Sequence, residues 1–142
     1  MTYLCDSEPI SVFAQSINSN NESLQNADNV IISLQFKNGA IGSIVYVANG
    51  DKALAKEHLE ISGGNMSFVI DDFKSGVLYR NNKQSKIQSS GKGHKQEVEA
   101  FIDAVKEGKP SPISFDSLYL TSLTTLKIID SLSTGLPQTI VA

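Results

Sequence analysis

Two histidines and one lysine are the side chains of this sequence best suited to contact a small polar ligand. Lys56 and His58 stand in the segment KEHLE, and His94 stands in the segment GKGH. An imidazole can donate or accept a hydrogen bond and can carry charge near neutral pH, and an ammonium group offers three donors. We therefore treat Lys56, His58 and His94 as candidates for a substrate pocket. A simpler alternative stays open: His58 as an exposed side chain between glutamates, and His94 as a structural residue at a helix start.

No motif for a cofactor, a metal ion or a covalent intermediate occurs in the sequence. The glycine-rich sequences that bind dinucleotides and nucleotide phosphates are absent, and so is the Gly-x-Ser-x-Gly sequence of serine hydrolases. Cys5 is the single cysteine, so no internal disulfide can form. Asp71 and Asp72 are adjacent, and on a strand their carboxylates would point to opposite faces, so a turn is the better interpretation. We predict no catalytic, metal-binding or cofactor-binding residue in this chain.

Length, charge and cysteine content limit the class of protein. The 142 residues fit one domain, spanning residues 1–142. A net charge of −3 without any run of lysine or arginine argues against a nucleic-acid partner. No apolar run approaches the ~20 residues that a membrane helix needs. Because the chain has one cysteine and no signal-peptide pattern at its start, we expect a cytoplasmic location.

The clearest local pattern is a β-hairpin centred on Asn38-Gly39. Two β-rich runs flank this pair, and Asn-Gly is typical of a two-residue type I′ turn. Such a turn predicts that Ile32 faces Val45, and that Ile31, Ile44 and Tyr46 share the outer face of the sheet. That face is half apolar, so we expect it to meet another surface, either a domain or a subunit. We predict that it forms a dimer interface.

Two helices are predicted after the strands. In the first, the stripe of Val98, Phe101, Ile102 and Val105 predicts burial against the sheet, with Phe101 at its centre. The second is expected from about Asp116 to Ser133, capped by Ser114 or Asp116 and buried through leucines and isoleucines that include Leu118, Leu126 and Ile129.

Strands followed by helices predict the fold class. We expect α+β, with a predominantly antiparallel sheet, helices packed on one face, and the other face available for oligomerisation. The polar stretches Asn18–Asp28 and Asn81–Lys92 are interpreted as loops.

The order of several motifs resembles the C-terminal domain of the glucose–fructose oxidoreductase/inositol dehydrogenase (Gfo/Idh/MocA) family. The likeness covers Ser7 to Val141 and is carried by the segments FKNGAIGSIVYVANG, KEHLEISGG, GKGHKQEVEAFIDAVKEGKPSPISF and SLSTGLP. This resemblance implies the C-terminal substrate-binding and oligomerisation domain of an NAD(P)-dependent oxidoreductase that acts on a sugar, cyclitol or similar polyol. It also implies a large open sheet in this domain and a Rossmann domain before it.

The family's catalytic motifs are missing from the sequence. Family members usually use a Lys in a Glu-Lys-Pro motif and a His one helical turn after an Asp, and neither pattern is present. The resemblance therefore implies a truncated portion without its Rossmann domain. We expect it to be inactive alone and to bind no nicotinamide cofactor, although NAD or NADP would serve the larger protein.

The implied partners of this chain are an upstream Rossmann domain and a second copy of the chain. Lys56, His58 and His94 would then line the substrate pocket. The alternative is a stand-alone, non-enzymatic binding or scaffold module.

Overall fold

The computed structural model describes residues 1–20, 26–88 and 91–141. These residues form an α+β fold with two antiparallel four-stranded sheets, which confirms the predicted fold class. They fall into two compact units, Met1–Gly50 with Ile113–Ala142 and Asp51–Pro112. The single domain over residues 1–142 stays a prediction. The two predicted loops extend over residues 21–25 and 89–90, which lie outside the described residues.

The described residues contain eight strands and three α-helices. In order they are α1 (Thr2–Cys5), β1 (Pro9–Ser16), a 3₁₀ turn (Asn26–Asp28), β2 (Asn29–Phe36), β3 (Ile41–Val47), β4 (His58–Gly63), β5 (Met66–Asp71), β6 (Ser75–Arg80), β7 (Lys83–Gln88), α2 (His94–Glu107), α3 (Phe115–Thr134) and β8 (Gln138–Thr139).

The first unit is built on a sheet with the strand order β3-β2-β1-β8. Side chains of β1 and β2 alternate between the two faces, so apolar residues collect on one face, and α3 packs against β1 there. The buried core on this face consists of Val12, Ala14, Val30, Ile32, Leu34, Phe36, Leu120 and Ile140. Burial of these side chains holds the sheet and α3 together.

The β2–β3 hairpin has a different turn from the expected one. Gly39 has a φ of 86°, whereas Asn38 has no positive φ. The Phe36 N–H donates to the Ala40 carbonyl oxygen at 2.9 Å, and the Gly39 N–H donates to the Phe36 carbonyl oxygen at 2.9 Å. The loop therefore has three residues and ends in a left-handed glycine.

This longer loop moves the pairing of β3 by one residue. Ile32 faces Ile44 and not Val45, so the predicted register is wrong. Because side chains alternate along a strand, a shift of one residue exchanges the two faces. Ile44 and Tyr46 lie on the core face of the sheet, and its outer face carries Ile31, Ile41 and Val45.

Helix α3 begins and ends where its capping residues predict. The Ser114 hydroxyl accepts from the Ser117 N–H at 3.2 Å, and Gly135 ends the helix at a φ of 69°. The predicted buried side is partly wrong, because Leu118, Leu126 and Ile129 are exposed. The fully buried positions of this helix are Leu120, Thr124 and Ser131. Small side chains on that side let α3 approach β1 closely.

Ser131 joins α3 to the sheet through its hydroxyl group. It is completely buried. Its Oγ accepts from the Ala14 N–H at 3.0 Å and donates to the Leu136 carbonyl oxygen at 2.8 Å. β8 pairs with β1 only at Ser11 and Val12, so the hydroxyl satisfies the β1 donor that lies beyond the end of β8.

The second unit contains the sheet β4-β5-β6-β7, in which consecutive strands pair. Two tight turns join the outer pairs, Gly64-Asn65 and Asn81-Asn82, and all four residues have φ values between 53° and 60°. Positive φ at both central residues is the signature of a type I′ hairpin turn. The predicted loop Asn81–Lys92 is therefore wrong over β7, which its mostly polar side chains concealed.

Helix α2 does not have the predicted buried stripe. Its ends agree with the prediction, since Gly108 closes it at a φ of 62°. Within the described residues, however, Phe101 is 55% exposed, and Val98, Ile102 and Val105 are exposed as well. The expectation that Phe101 lies buried in the core is therefore wrong for this structure. A stability loss of ~3–5 kcal/mol applies to the truncation of a fully buried Phe, and Phe101 is not fully buried.

We predict that Ser131→Ala lowers the free energy of unfolding by ~1–3 kcal/mol, because the Ala14 N–H would stay buried without an acceptor. Chemical denaturation followed by circular dichroism measures this change. Ser133→Ala is the matched control, since Ser133 is an exposed serine in the same helix, and it should change stability by less than ~0.5 kcal/mol. Equal effects of the two variants would contradict the role assigned to the Ser131 hydroxyl.

Candidate functional site

The three predicted pocket residues all belong to the second unit. Lys56 lies just before β4, His58 is the first residue of β4, and His94 is the first residue of α2. All three side chains are exposed. His58 pairs with Asp71 at the far end of β5, so it lies at the edge of the sheet where the β5–β6 turn begins.

An ion-pair cluster connects these segments. The Lys92 Nζ lies 2.6 Å from the Glu57 Oε2 and 3.1 Å from the Asp72 Oδ1. Lys74 forms a further ion pair with Asp72. We call Glu57, Asp72, Lys74 and Lys92 the charged cluster.

The charged cluster connects the two segments that carry the candidates. Glu57 stands between Lys56 and His58, and Lys92 stands two residues before His94. The ion pair between Glu57 and Lys92 therefore ties the approach to α2 to the beginning of β4.

Backbone geometry holds Asp72 in place. Its N–H donates to the Glu57 carbonyl oxygen at 2.7 Å. Asp72 and Phe73 have φ values of 49° and 53°, so the chain turns sharply here, as the turn interpretation of Asp71-Asp72 predicts. Aspartate tolerates this left-handed conformation better than most residues do. The carboxylate of Asp72 is thereby aimed at both lysines.

The charged cluster shifts two pKa values away from neutrality. The hydrogen bond from Lys74 is the main cause that lowers the pKa of Asp72, and Lys92 lowers it further. The hydrogen bond to Glu57 is the main cause that raises the pKa of Lys92, followed by the one to Asp72. Asp72 and Lys92 therefore stay charged at neutral pH, which suits a structural clamp and not a proton-transfer group.

Lys56 and His58 flank Glu57 of the charged cluster in the sequence, and His94 follows Lys92 by two residues. Within residues 1–20, 26–88 and 91–141, neither imidazole forms a hydrogen bond or an ion pair, and Lys56 forms no ion pair. The same ranges contain no group of three or more His, Cys, Asp or Glu side chains that could hold a metal ion. The chemistry offered here is hydrogen bonding to a polar ligand.

A second feature lies elsewhere in this unit and was not predicted. An open surface concavity of about 990 Å³ lies at the ends of the β4–β5 and β6–β7 hairpins. We call it the hairpin-end concavity; its lining includes Ser62, Asn65, Ser67, Tyr79, Arg80 and Asn82. Two turn dipeptides at matching ends of paired strands, Gly64-Asn65 and Asn81-Asn82, are the sequence signal that could have indicated it.

Comparisons with known proteins identify the fold. No protein-family model matches the sequence, and no curated protein is significantly similar to it. Among solved structures, an aldose–aldose oxidoreductase from Caulobacter crescentus complexed with glycerol is similar, with a TM-score of 0.80 at 14% identity over 97% of this chain and 43% of that chain.

Two further structures show the same likeness. For UDP-N-acetylglucosamine 3-dehydrogenase from Acidithiobacillus ferrooxidans, the TM-score is 0.73 at 14% identity, over 89% of this chain and 41% of that one. For levoglucosan dehydrogenase in complex with NADH and levoglucosan, it is 0.75 at 18% identity, over 95% and 46%.

These structures confirm the predicted resemblance at the level of the fold. The chain spans less than half the length of each of these three oxidoreductases. No helix in the described ranges is both long and apolar enough to cross a membrane.

We predict that the pKa of Asp72 lies below its ordinary value of 3.8. A lowered pKa in the folded protein stabilises it above the ordinary value, and this contribution is lost as the pH falls toward the folded pKa. The wild type should therefore be more stable than Asp72→Asn at pH 7, and the difference should shrink below about pH 4.

Carbon-detected NMR titration of the Asp72 carboxyl and denaturation at several pH values test this prediction. Asp71→Asn is the control, because Asp71 forms no ion pair in the described ranges. A pKa for Asp72 at or above 3.8 would rule out the charged cluster in solution.

Proposed function

We propose that this chain is the C-terminal substrate-binding and oligomerisation domain of an NAD(P)-dependent oxidoreductase that acts on a sugar, cyclitol or similar polyol. The observation that carries the proposal is the fold. Nearly the whole chain superposes on sugar oxidoreductases while it spans less than half of each of them. The part of each oxidoreductase that this chain does not cover leaves room for the Rossmann domain that the sequence resemblance implies.

The nicotinamide cofactor would supply hydride transfer when it is bound to that upstream domain. The residues of this chain would bind and orient the substrate. Lys56, His58 and His94 are exposed donors, and hydrogen bonds to hydroxyl groups are the means by which proteins recognise polyols. Precise orientation of the substrate contributes to catalysis without any proton transfer by these residues.

The charged cluster supports this role by fixing the candidates. Lys92 contacts both Glu57 and Asp72, so its ammonium group is committed to the ion pairs. Lys56 forms no ion pair in the described ranges and remains free for a ligand. The division suits a polyol pocket, in which fixed charges set the geometry and neighbouring donors contact the hydroxyl groups.

We further propose that the chain forms a homodimer through the outer face of the first unit's sheet. Ile31, Ile41 and Val45 are all exposed there, with Val45 at 66%. Exposed apolar residues grouped on a flat sheet face favour burial against a partner, and a twofold axis would place the same face of two copies together.

The proposed setting is the cytoplasm. Cys5 is a free cysteine, in keeping with a reducing compartment. We propose no nucleic-acid partner, because the net charge is −3.

NMR titration of the 142-residue chain with myo-inositol and with glucose tests the proposed substrate class. We expect millimolar binding, with signals of Lys56, His58 and His94 shifting together, and a several-fold loss of affinity in Lys56→Ala. Lys52→Ala is the control, since Lys52 is another exposed lysine without an ion pair in the described ranges. NADH should cause no shifts, because the chain has no phosphate-binding turn.

Titrations in which these three residues do not respond would contradict the pocket. They would favour the alternative of a stand-alone binding or scaffold module.

We predict that Val45→Lys converts the dimer to a monomer, because a lysine ammonium would be buried in the apolar interface. Sedimentation velocity measures the change, and circular dichroism verifies the fold. Tyr46→Lys is the matched control, since Tyr46 is 55% exposed but lies on the opposite face of the same strand. A wild-type chain that sediments as a monomer at high concentration would remove the basis for the dimer.

A further inference from the structure

We propose that Asn49-Gly50 is a site of spontaneous covalent modification, at which the Asn49 amide becomes a carboxylate, and that the fold protects a second dipeptide of the same type, Asn38-Gly39. The reactants are the Gly50 backbone nitrogen and water, and ammonia is the leaving group. Both dipeptides belong to the first unit. The proposal is independent of the substrate pocket and of the dimer proposed above.

Asparagine is one of the chemically labile residues of proteins, and its reaction uses the backbone nitrogen of the next residue. After the Gly50 nitrogen loses its proton to hydroxide, it attacks the Asn49 Cγ. The N–Cγ bond forms, the Cγ–Nδ2 bond breaks, and ammonia leaves with a proton taken from water. Water then opens the cyclic imide at the side-chain carbonyl to give aspartate, or at the backbone carbonyl to give isoaspartate, in which the main chain runs through Cγ. Overall, water is consumed and ammonia is released.

The sequence offers two places that favour this reaction. Asn38 and Asn49 are followed by glycine, whereas every other asparagine precedes a residue with a side chain. A side chain hinders the approach of the attacking nitrogen, and glycine has the backbone freedom to reach the required geometry. The sequence alone makes the two dipeptides equivalent, so the hydrogen bonds of the structure decide between them.

The side-chain amide of Asn38 is held at both of its ends. Its Nδ2 donates to the Cys5 carbonyl oxygen at 2.9 Å, and its Oδ1 accepts from the Ala40 N–H at 3.1 Å. The nitrogen that would attack is also occupied, since the Gly39 N–H donates to the Phe36 carbonyl oxygen at 2.9 Å. Attack on the Asn38 Cγ therefore requires these hydrogen bonds to break first, and each of them raises the barrier.

Asn49 has no comparable restraint on its side chain. It is exposed, and within residues 1–20, 26–88 and 91–141 its amide forms no hydrogen bond. It follows β3, which ends at Val47. The Asn49 amide can therefore rotate toward the Gly50 nitrogen without opening the sheet.

Modification at the two places would have different consequences. Gly50 is the last residue of the first unit before the chain passes to Asp51 of the second. A carboxylate at Asn49 adds a negative charge close to Asp51 in the sequence, and isoaspartate lengthens the main chain at this passage without removing a strand pair. A carboxylate at Asn38 would instead meet the Cys5 carbonyl oxygen, and two acceptors cannot share a hydrogen bond.

The test is incubation of the 142-residue chain at mildly alkaline pH, followed by peptide mapping with tandem mass spectrometry that separates aspartate from isoaspartate. In the folded chain, Asn49 should react at least about tenfold faster than Asn38, because Asn38 must first break its hydrogen bonds. In denaturant the two rates should converge, since both dipeptides then lack the restraints of the fold.

Gly50→Ala is the matched variant. Gly50 has no positive φ, and a methyl group there would meet nothing closer than the Val47 carbonyl oxygen at 4.0 Å. The fold should therefore tolerate alanine, as circular dichroism would verify, while the reaction at Asn49 slows about tenfold or more because the methyl group hinders the nitrogen.

Three results would overturn the proposal: no reaction at Asn49, equal rates at Asn38 and Asn49 in the folded chain, or an unchanged rate at Asn49 in Gly50→Ala. A difference between the two asparagines that persisted in denaturant would remove the protective role of the Asn38 hydrogen bonds.

Discussion

The first unit depends on one buried hydroxyl group. Ser131 accepts from the Ala14 N–H and donates to the Leu136 carbonyl oxygen, so it connects the middle of β1 with the residue that leads into β8. β8 is only two residues long, and without this hydroxyl the donor beyond it would be buried and unsatisfied. Only a small polar side chain can satisfy that donor and still let α3 lie close to β1.

Because α3 covers one face of this sheet, the face that we propose for dimerisation is the other one. Val45 and its apolar neighbours lie there by virtue of the three-residue loop that ends at Gly39. The second unit carries the charged cluster beside β4 and a group of polar side chains at its hairpin ends. Our proposals therefore place association and ligand binding in different parts of the chain.

The candidate site could be predicted only in part from the sequence. Lys56, His58 and His94 are candidates chosen from their residue types and from the family resemblance, and their role stays a prediction. The ion pairs of Lys92 with Asp72 and with Glu57 join residues 20 and 35 positions apart, and no local pattern predicts such contacts. Strand β7 was overlooked because its polar stretch was interpreted as a loop, and only strand pairing places Lys83 opposite Arg80 and Gln84 opposite Tyr79.

Local physical chemistry determined much of this protein from the sequence alone. Alternation in β1 and β2, the cap at Ser114 and the left-handed glycines Gly108 and Gly135 each act within a few residues, so these strands and the ends of these helices could be predicted. Tertiary structure decided which faces these elements bury. One extra loop residue before Ala40 exchanges the faces of β3, and α3 is apolar on two sides. Only packing against a particular partner selects between faces that look equivalent in the sequence.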